Sequence, residues 1–371
     1  MRTTHVETVI IGAGQAGLAT GYHLQRHGRP FVIVDANARI GDNWRQQWDS
    51  LRLYSPARYD GLPGLKFPAD RWSFPGKEEV AGYLEQYAER FQLPVRLSTR
   101  VEGVDPSADD GYVITTSRER ITCDNVVIAT GTFGRTPSVP AIATELDSHI
   151  VQLHSSQYRR PGQLQEGSVL VVGASHSGTD IAYEVAEARP TILAGRDCGQ
   201  IPVHVDARRM RLLFPLLMFV WRHLLTRRTP VGRKAMPKVR FHGGPMLRVH
   251  RSDLRARSAE RSTGRVERVV DGKPVVDGEP RDVANVIWAT GFHQTLADWI
   301  HLPVFDEDGW PREARGIVQE SPGVFFCGLS FQYAFASMLL PGVGRDAEFV
   351  VRRILDRPRR RTTPQNRVPA A

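Results

Sequence analysis

Two stretches of this 371-residue sequence place small residues where a phosphate could be held. VIIGAGQAGLAT (residues 9–20) sets Gly12, Gly14 and Gly17 in GxGxxG spacing after a run of β-formers. VVGASHSGTDIA (residues 171–182) sets Gly173, Ser175 and Gly178 in the same spacing. The chemistry this serves is dinucleotide binding. The first glycine makes a tight turn, the second position lets backbone approach a pyrophosphate, and the third lets helix and strand pack closely. The pyrophosphate then sits on the free N–H groups of the helix N-terminus. Serine in the middle of the second copy is small enough to keep that approach, and Ser177 can add a hydroxyl to a phosphate.

The residue at the end of the strand after each helix distinguishes the two ligands. Asp35 stands 23 residues after Gly12, and Arg196 stands 23 residues after Gly173. An acid at that place suits a bare ribose hydroxyl, whereas arginine can grip a 2′-phosphate through a charge-assisted contact. The first site therefore reads as one for FAD and the second as one for NADPH. Two dinucleotides in one chain make sense if NADPH gives a hydride to the flavin.

The elements that must position these residues are legible around them. The first turn lies between the strands Val9–Ile11 and Phe31–Val34, with a helix ending near Gly28. The second lies between the strands Val169–Val172 and Thr191–Leu193, with a helix over about residues 179–188. VVIATG (126–131) and VIWATG (286–291) are apolar strands that bracket the second unit and end in Gly131 and Gly291, each a tight turn beside a cofactor. A later strand runs into Gly328 and is followed by a helix, a form that can present N–H groups to the isoalloxazine ring or its phosphates. The expected fold is α/β, with two Rossmann-like dinucleotide-binding domains and the NADPH domain inserted into the FAD domain. The boundaries expected are 1–155 and 286–355 for the FAD domain, 156–285 for the NADPH domain, and 356–371 for a disordered basic tail.

Composition narrows the class. Hydrophobic residues make up 41% and charged residues 24%, the balance of a globular protein. The net charge of +9 comes almost wholly from arginine and is joined by no nucleic-acid recognition motif, so no nucleic-acid partner is expected. Cys123, Cys198 and Cys327 are far apart, with no CxxC, disulfide framework or metal-ligand spacing, which suits a reducing cytoplasm and no metal. The N-terminus has no cleavable signal pattern. The longest apolar run, Leu212–Trp221, is about half the roughly 20 residues of a membrane span. With its flanking arginines, 208–228 reads either as a helical hairpin packed on the NADPH domain, kinked or restarted at Pro215, or as a segment making peripheral membrane contact or roofing a substrate channel.

Taken together, GAGQAG, GDNWR (41–45), the two ATG strand ends, GASHSG and WATGF (288–292) resemble the class B flavin monooxygenases, among them bacterial flavin-containing monooxygenases and the plant auxin-forming enzymes. The likeness covers about residues 6–355. It implies FAD held through Gly12, Gly14, Gln15, Gly17 and Asp35, with Trp44 and Arg45 next to the flavin. It implies NADPH held through Gly173, Ser175, Ser177, Gly178 and Arg196. It further implies that reduced flavin reacts with molecular oxygen to give a C4a-hydroperoxide that oxygenates nitrogen, sulfur or a ketone of a small, fairly apolar substrate. The family's FxGxxxHxxxY fingerprint appears as SHIVQLHSSQY: His154 and Tyr158 match, while Ser148 and Ile150 depart from it. Tyr54 falls where animal members carry an asparagine near the flavin. Two alternatives stand beside the monooxygenase: a reductase passing electrons to a separate acceptor, and a nucleotide-binding regulator without turnover. The absence of CxxC removes the dithiol form of the first.

Overall fold

The protein is described by a computed structural model over residues 2–132, 136–241 and 243–358. From residue 359 on, the expected basic tail lies outside the described residues. The first part of the chain runs through β1 (Arg2–Ile11), α1 (Gln15–Arg26), β2 (Phe31–Val34), α2 (Asp42–Arg45), α3 (Lys77–Arg90), β3 (Val95–Arg96), β4 (Val101–Pro106), β5 (Tyr112–Thr116) and β6 (Glu119–Ile128). Next come β7 (Thr136–Pro137), β8 (Val151–His154), β9 (Val169–Val172), α4 (His176–Val185), β10 (Thr191–Ala194), α5 (Met210–Phe219), α6 (Pro230–Phe241) and α7 (Arg251–Ala256). The chain continues with β11 (Glu260–Ser262), β12 (Val269–Val270), β13 (Lys273–Val276), β14 (Glu279–Pro280), β15 (Asn285–Trp288), β16 (Phe292–His293), β17 (Val324–Phe326) and α8 (Leu340–Leu355).

Two separate sheets result. The first has the order β3-β2-β1-β6-β5-β4, with β17 added beside the C-terminal half of β6. The second, β11-β10-β9-β15-β8, is parallel throughout. Strands buried on both faces read as continuous apolar runs rather than alternating ones, and β9, β10 and β15 are fully buried. Because β17 and α8 return to the first sheet after the second is complete, the second domain is an insert in the first, as the sequence predicts.

The boundaries shift by one strand at each end. β8 and β15 pair in parallel, Asn285 opposite Val151, and β15 also pairs β9, Asn285 opposite Val169. Both strands therefore belong to the second sheet, and the insert runs from 151 to 288 rather than from 156 to 285. The reason is that the second ATG strand is an interior strand of the inserted sheet, between β9 and β8, instead of leading out of it. Just beyond each boundary the crossing segments meet: β7 and β16 form an antiparallel ribbon, with Phe292 opposite Pro137.

Each glycine turn is fixed by the same contacts. Gly12 N–H donates to the Val34 carbonyl and Gly173 N–H to the Ala194 carbonyl, both at 2.8 Å. A Cβ on Gly17 would stand 1.8 Å from the Gly12 oxygen, and one on Gly178 would stand 1.7 Å from the Gly173 oxygen. Around Gly14 nothing lies within 4 Å of where a Cβ would be. Gly17→Ala is therefore expected to cost about 3 kcal/mol of stability, as a backbone clash that only main-chain movement relieves. Gly14→Ala, where only the preference for glycine over alanine at an N-cap is lost, should cost about 1 kcal/mol read from urea unfolding. Equal effects of the two substitutions would contradict this close packing of helix on strand.

Candidate functional site

The first site lies around the N-terminus of α1, whose cap residue Gly14 has no side-chain bond to the helix. The first-turn N–H groups are thus left for a ligand. Asp35 is buried and stands at the end of β2, where its Oδ2 accepts from Ala13 N–H (2.7 Å) and its Oδ1 from Asn37 N–H (2.8 Å). Each carboxylate oxygen retains acceptor capacity for a ribose. Gln15 donates to the Met338 carbonyl (2.8 Å), tying this turn to the start of α8. Gly328, in the left-handed region at φ 89°, touches Ala16, and Thr132 donates to its carbonyl at 3.2 Å. Gly131, at φ 88°, follows directly on the strand whose Ala129 carbonyl presses on Gly12. The structure therefore brings Gly12, Gly14, Gln15, Gly17, Asp35, Gly131 and Gly328 together.

Trp44 and Arg45 sit on α2 and do something different from each other. Trp44 packs against the first core cluster, which contains Ala13 and Ala16. The Arg45 guanidinium is engaged by the Ile40 carbonyl (2.8 Å), Glu85 (2.8 Å), Asp42 (3.4 Å) and Glu78 (3.4 Å). It binds the α2 loop, and Trp44 with it, to α3.

The second site repeats the geometry. The Ala289 carbonyl presses on Gly173 as that of Ala129 does on Gly12, and the N–H groups of both alanines donate at 2.8 Å to the neighbouring strand. Ser175 caps α4 without a side-chain bond to it; its Oγ accepts from Gly244 N–H (3.0 Å) and donates to the Gly244 carbonyl (3.1 Å). A loop thus crosses the middle of the second turn, which is the physical use of serine where the first copy has glycine. The Ser177 hydroxyl has no protein partner among the described residues. Gly195 lies against Gly173, a Cβ there meeting its backbone at 3.3 Å, so the exposed Arg196 is one residue from the turn. Sequence reasoning missed Arg261, which donates to the Leu193 (3.1 Å) and Gly195 (2.7 Å) carbonyls, and Arg251, paired with Asp197. No motif marks either of them in a chain so rich in arginine.

The two sites meet through side chains that no motif joins. The Tyr54 hydroxyl donates to Asp180 of α4 (2.9 Å), and Arg248 donates to the same oxygen (2.7 Å). Burial pushes the Asp180 carboxyl above its ordinary range while Arg248 pulls it back. Burial and Asp180 together raise the phenol well above its usual value, so Tyr54 keeps its proton. The Tyr54 ring lies 5.0 Å from the His176 ring at the start of α4. His154 Nδ1 accepts from Ser156 N–H (3.2 Å), which leaves the proton on Nε2 to donate to the Gly291 carbonyl (2.9 Å). The hydroxyl of Tyr158, buried, donates to Glu184 of α4 at 2.8 Å. The two matching fingerprint residues are thus structural ties around the second site: His154 holds the Gly291 turn, at φ 84°, and Tyr158 holds α4.

This duplicated geometry has known counterparts. The family model of the pyridine nucleotide-disulphide oxidoreductases matches residues 9–197, just over half of the chain. An uncharacterized CzcO-like oxidoreductase of Geobacillus kaustophilus is 36% identical over 354 residues, covering 95% of this chain and 99% of that relative. The chain belongs to the pyridine nucleotide-disulphide oxidoreductase family. A solved double mutant of the flavin monooxygenase from Stenotrophomonas maltophilia is similar at a TM-score of 0.73 and 28% identity, over 95% of this chain and 98% of that one. A probable indole-3-pyruvate monooxygenase of Arabidopsis thaliana, YUCCA9, is 26% identical over 82% of this chain and 79% of its own. Membership makes the protein an oxidoreductase, and its fold is that of the flavin monooxygenases. Despite the family's name, Cys123 and Cys327 are buried in different core clusters, and burial pushes the Cys327 thiol up to about 12.

Burial also gives the site a pH dependence. It pushes the His176 imidazole down to about 4 and lowers His154 as well. The unfolded chain takes up these protons near pH 6.5. Stability is therefore complete above that pH and is lost as pH falls from about 6.5 toward about 4, because the unfolded state binds the protons first. In His176→Gln the decline of the urea midpoint over this window should be shallower; an unchanged slope would contradict the assignment.

Proposed function

We propose that this oxidoreductase is an NADPH-dependent FAD monooxygenase that oxygenates a small, fairly apolar organic substrate by N-oxygenation, S-oxygenation or Baeyer–Villiger insertion. The observation that carries the reading is the pair of matched glycine turns in one chain, with an acid after the first copy and an arginine after the second. The Stenotrophomonas and Arabidopsis relatives, both named as monooxygenases, support it.

FAD is held by Gly12, Gly14, Gln15 and Gly17 at the α1 N-terminus, with Asp35 accepting from its ribose. Gly131 and Gly328 let backbone come close, and Trp44, positioned by Arg45, walls the site. NADPH is held by Gly173, Ser175, Ser177 and Gly178 at the α4 N-terminus, with Arg196 on its 2′-phosphate and Gly291 as the turn beside it. When bound, the flavin would supply the redox chemistry, with the two electrons of the NADPH hydride and a proton allowing one atom of dioxygen to enter the substrate and the other to leave as water.

The chain's own residues position and exclude. Tyr54, by donating to Asp180, fixes the segment after α2 against the nucleotide helix and so sets the separation of the two cofactors. The apolar cluster of Phe214, Trp221 and Ala336, beside Tyr59 and Phe335, keeps water from the neighbourhood of α8. The buried Cys123 and Cys327 thiols offer no dithiol route for the electrons.

Mass spectrometry of products formed from apolar amines, sulfides and ketones under labelled dioxygen tests the reading. Label in the product, in proportion to NADPH consumed, is the expected result. Stoichiometric hydrogen peroxide with every substrate class, and reduction of an added quinone instead, would replace the monooxygenase with a reductase. Arg196→Ala should raise the KM for NADPH about tenfold, the worth of one charge-assisted contact, and leave that for NADH unchanged. An equal effect on both nucleotides would remove the 2′-phosphate role.

A further inference from the structure

Helix α5, MRLLFPLLMF, has an unbroken apolar core sequence and continues as VW. A helix apolar on every side belongs inside a core or in lipid. Only one of its stripes is buried, however: Met210, Phe214 and Met218, followed by Trp221. These pack with Tyr59, Trp72, Phe74 and Phe335, so the helix is seated on first-domain loops rather than on the inserted sheet. Pro215 lies within α5 on its exposed side, so the helix is not restarted there. The outer face carries Leu212 (85% exposed), Leu213 (46%), Leu216 (62%) and Phe219 (52%), and Leu224 and Val231 continue it. Six of the eight exposed large hydrophobic residues among those described lie in this one segment.

Charge surrounds the strip on both sides and with one sign. From residue 207 to 252 there are twelve arginines or lysines and not one aspartate or glutamate. Some are engaged within the protein, among them Arg227 and Arg240 on Glu313 and Arg248 on Asp180. Arg208, Arg209 and Arg211 at one end, and Arg233, Lys234 and Lys238 at the other, are exposed and pair with no acid among the described residues. No helix among the described residues is long and apolar enough to cross a membrane.

We propose that this face docks on an anionic phospholipid bilayer. Leu212, Leu213, Leu216 and Phe219 enter the boundary between headgroups and acyl chains, while the flanking cations meet lipid phosphates. The chemistry favours lipid over a folded partner, since from Leu212 to Val220 every side chain is apolar and none offers the hydrogen bonds that fix a protein partner in register. The strip's inner side meets Phe335, and Arg222 donates to the Pro341 carbonyl (2.8 Å) at the start of α8. Docking therefore sets the α8 end of the first site against the bilayer. Resting on the monooxygenase reading, this means that the substrate is one that partitions into lipid.

Co-sedimentation of the full chain with vesicles tests the docking without requiring turnover. The protein should sediment with phosphatidylcholine vesicles containing phosphatidylglycerol, stay in solution with phosphatidylcholine alone, and be released as salt rises to about 0.5 M, where screening is strong. The triple substitution Arg208→Gln, Arg209→Gln, Arg211→Gln should lower the partition coefficient about 100-fold, from the usual contribution of each cation at an anionic surface. The pair Leu212→Gln and Leu216→Gln should abolish sedimentation while leaving thermal unfolding unchanged. No binding to anionic vesicles would overturn the proposal, as would binding that neither salt nor these substitutions affect. So would a dimer in solution that the leucine pair converts to monomer, because a second copy would then cover the face. Docking with no oxygenated product would leave the lipid contact standing and remove the monooxygenase reading alone.

Discussion

The structure depends on one contact made twice: a backbone carbonyl pressed so closely on a helix that only a glycine can stand opposite it. Gly17 over Gly12, and Gly178 over Gly173, bring each helix down onto its strand within a distance no side chain tolerates. The same turns are wedged from the other side by the carbonyls of Ala129 and Ala289, which come from the two ATG strands. That wedge explains why the chain repeats the ATG ending as well as the glycine turn. Each dinucleotide unit needs a third strand whose end closes the back of its phosphate loop.

Duplication creates a problem of relative placement, because two dinucleotide sites exchange electrons only if their domains are held at a fixed separation. The chain answers it with several ties. The β7–β16 ribbon joins the two crossing segments directly. His154, kept neutral by burial, holds the Gly291 turn where the chain leaves the insert, and Tyr54 reaches α4 from the other domain through Asp180. Asp180 and Arg248 form a buried charge pair, and removing either partner would leave the other uncompensated, so this junction is specific as well as firm.

Much of this was legible in the sequence where the signal is local. The strand, turn, helix, strand and acid from Val9 to Asp35 succeed one another in the order that the phosphate site requires, and β9 lies on the residues its apolar run marks. The insertion was legible too, since VVIATG and VIWATG bracket the second unit. What was not legible depends on partners far apart in the chain. Tyr54 and Asp180 are 126 residues apart, and nothing in either neighbourhood names the other. The sheet to which β8 and β15 belong was hidden for the same reason, because an apolar strand carries no mark of which neighbour it will pair. Arg45 reads as a flavin neighbour from its motif, whereas the acids of α3 that engage it lie more than thirty residues on. The seat of α5 was equally hidden, since a segment apolar all round does not announce which stripe will be covered.

The most direct test is anaerobic stopped-flow absorbance of the purified protein carrying FAD, mixed with NADPH and, separately, with NADH. NADPH should bleach the flavin in a single fast phase that saturates at low nucleotide concentration, and NADH should do so only at much higher concentration. A flavin that stays oxidised while NADPH is bound would contradict this picture, for the two glycine turns would then hold two dinucleotides that do not meet.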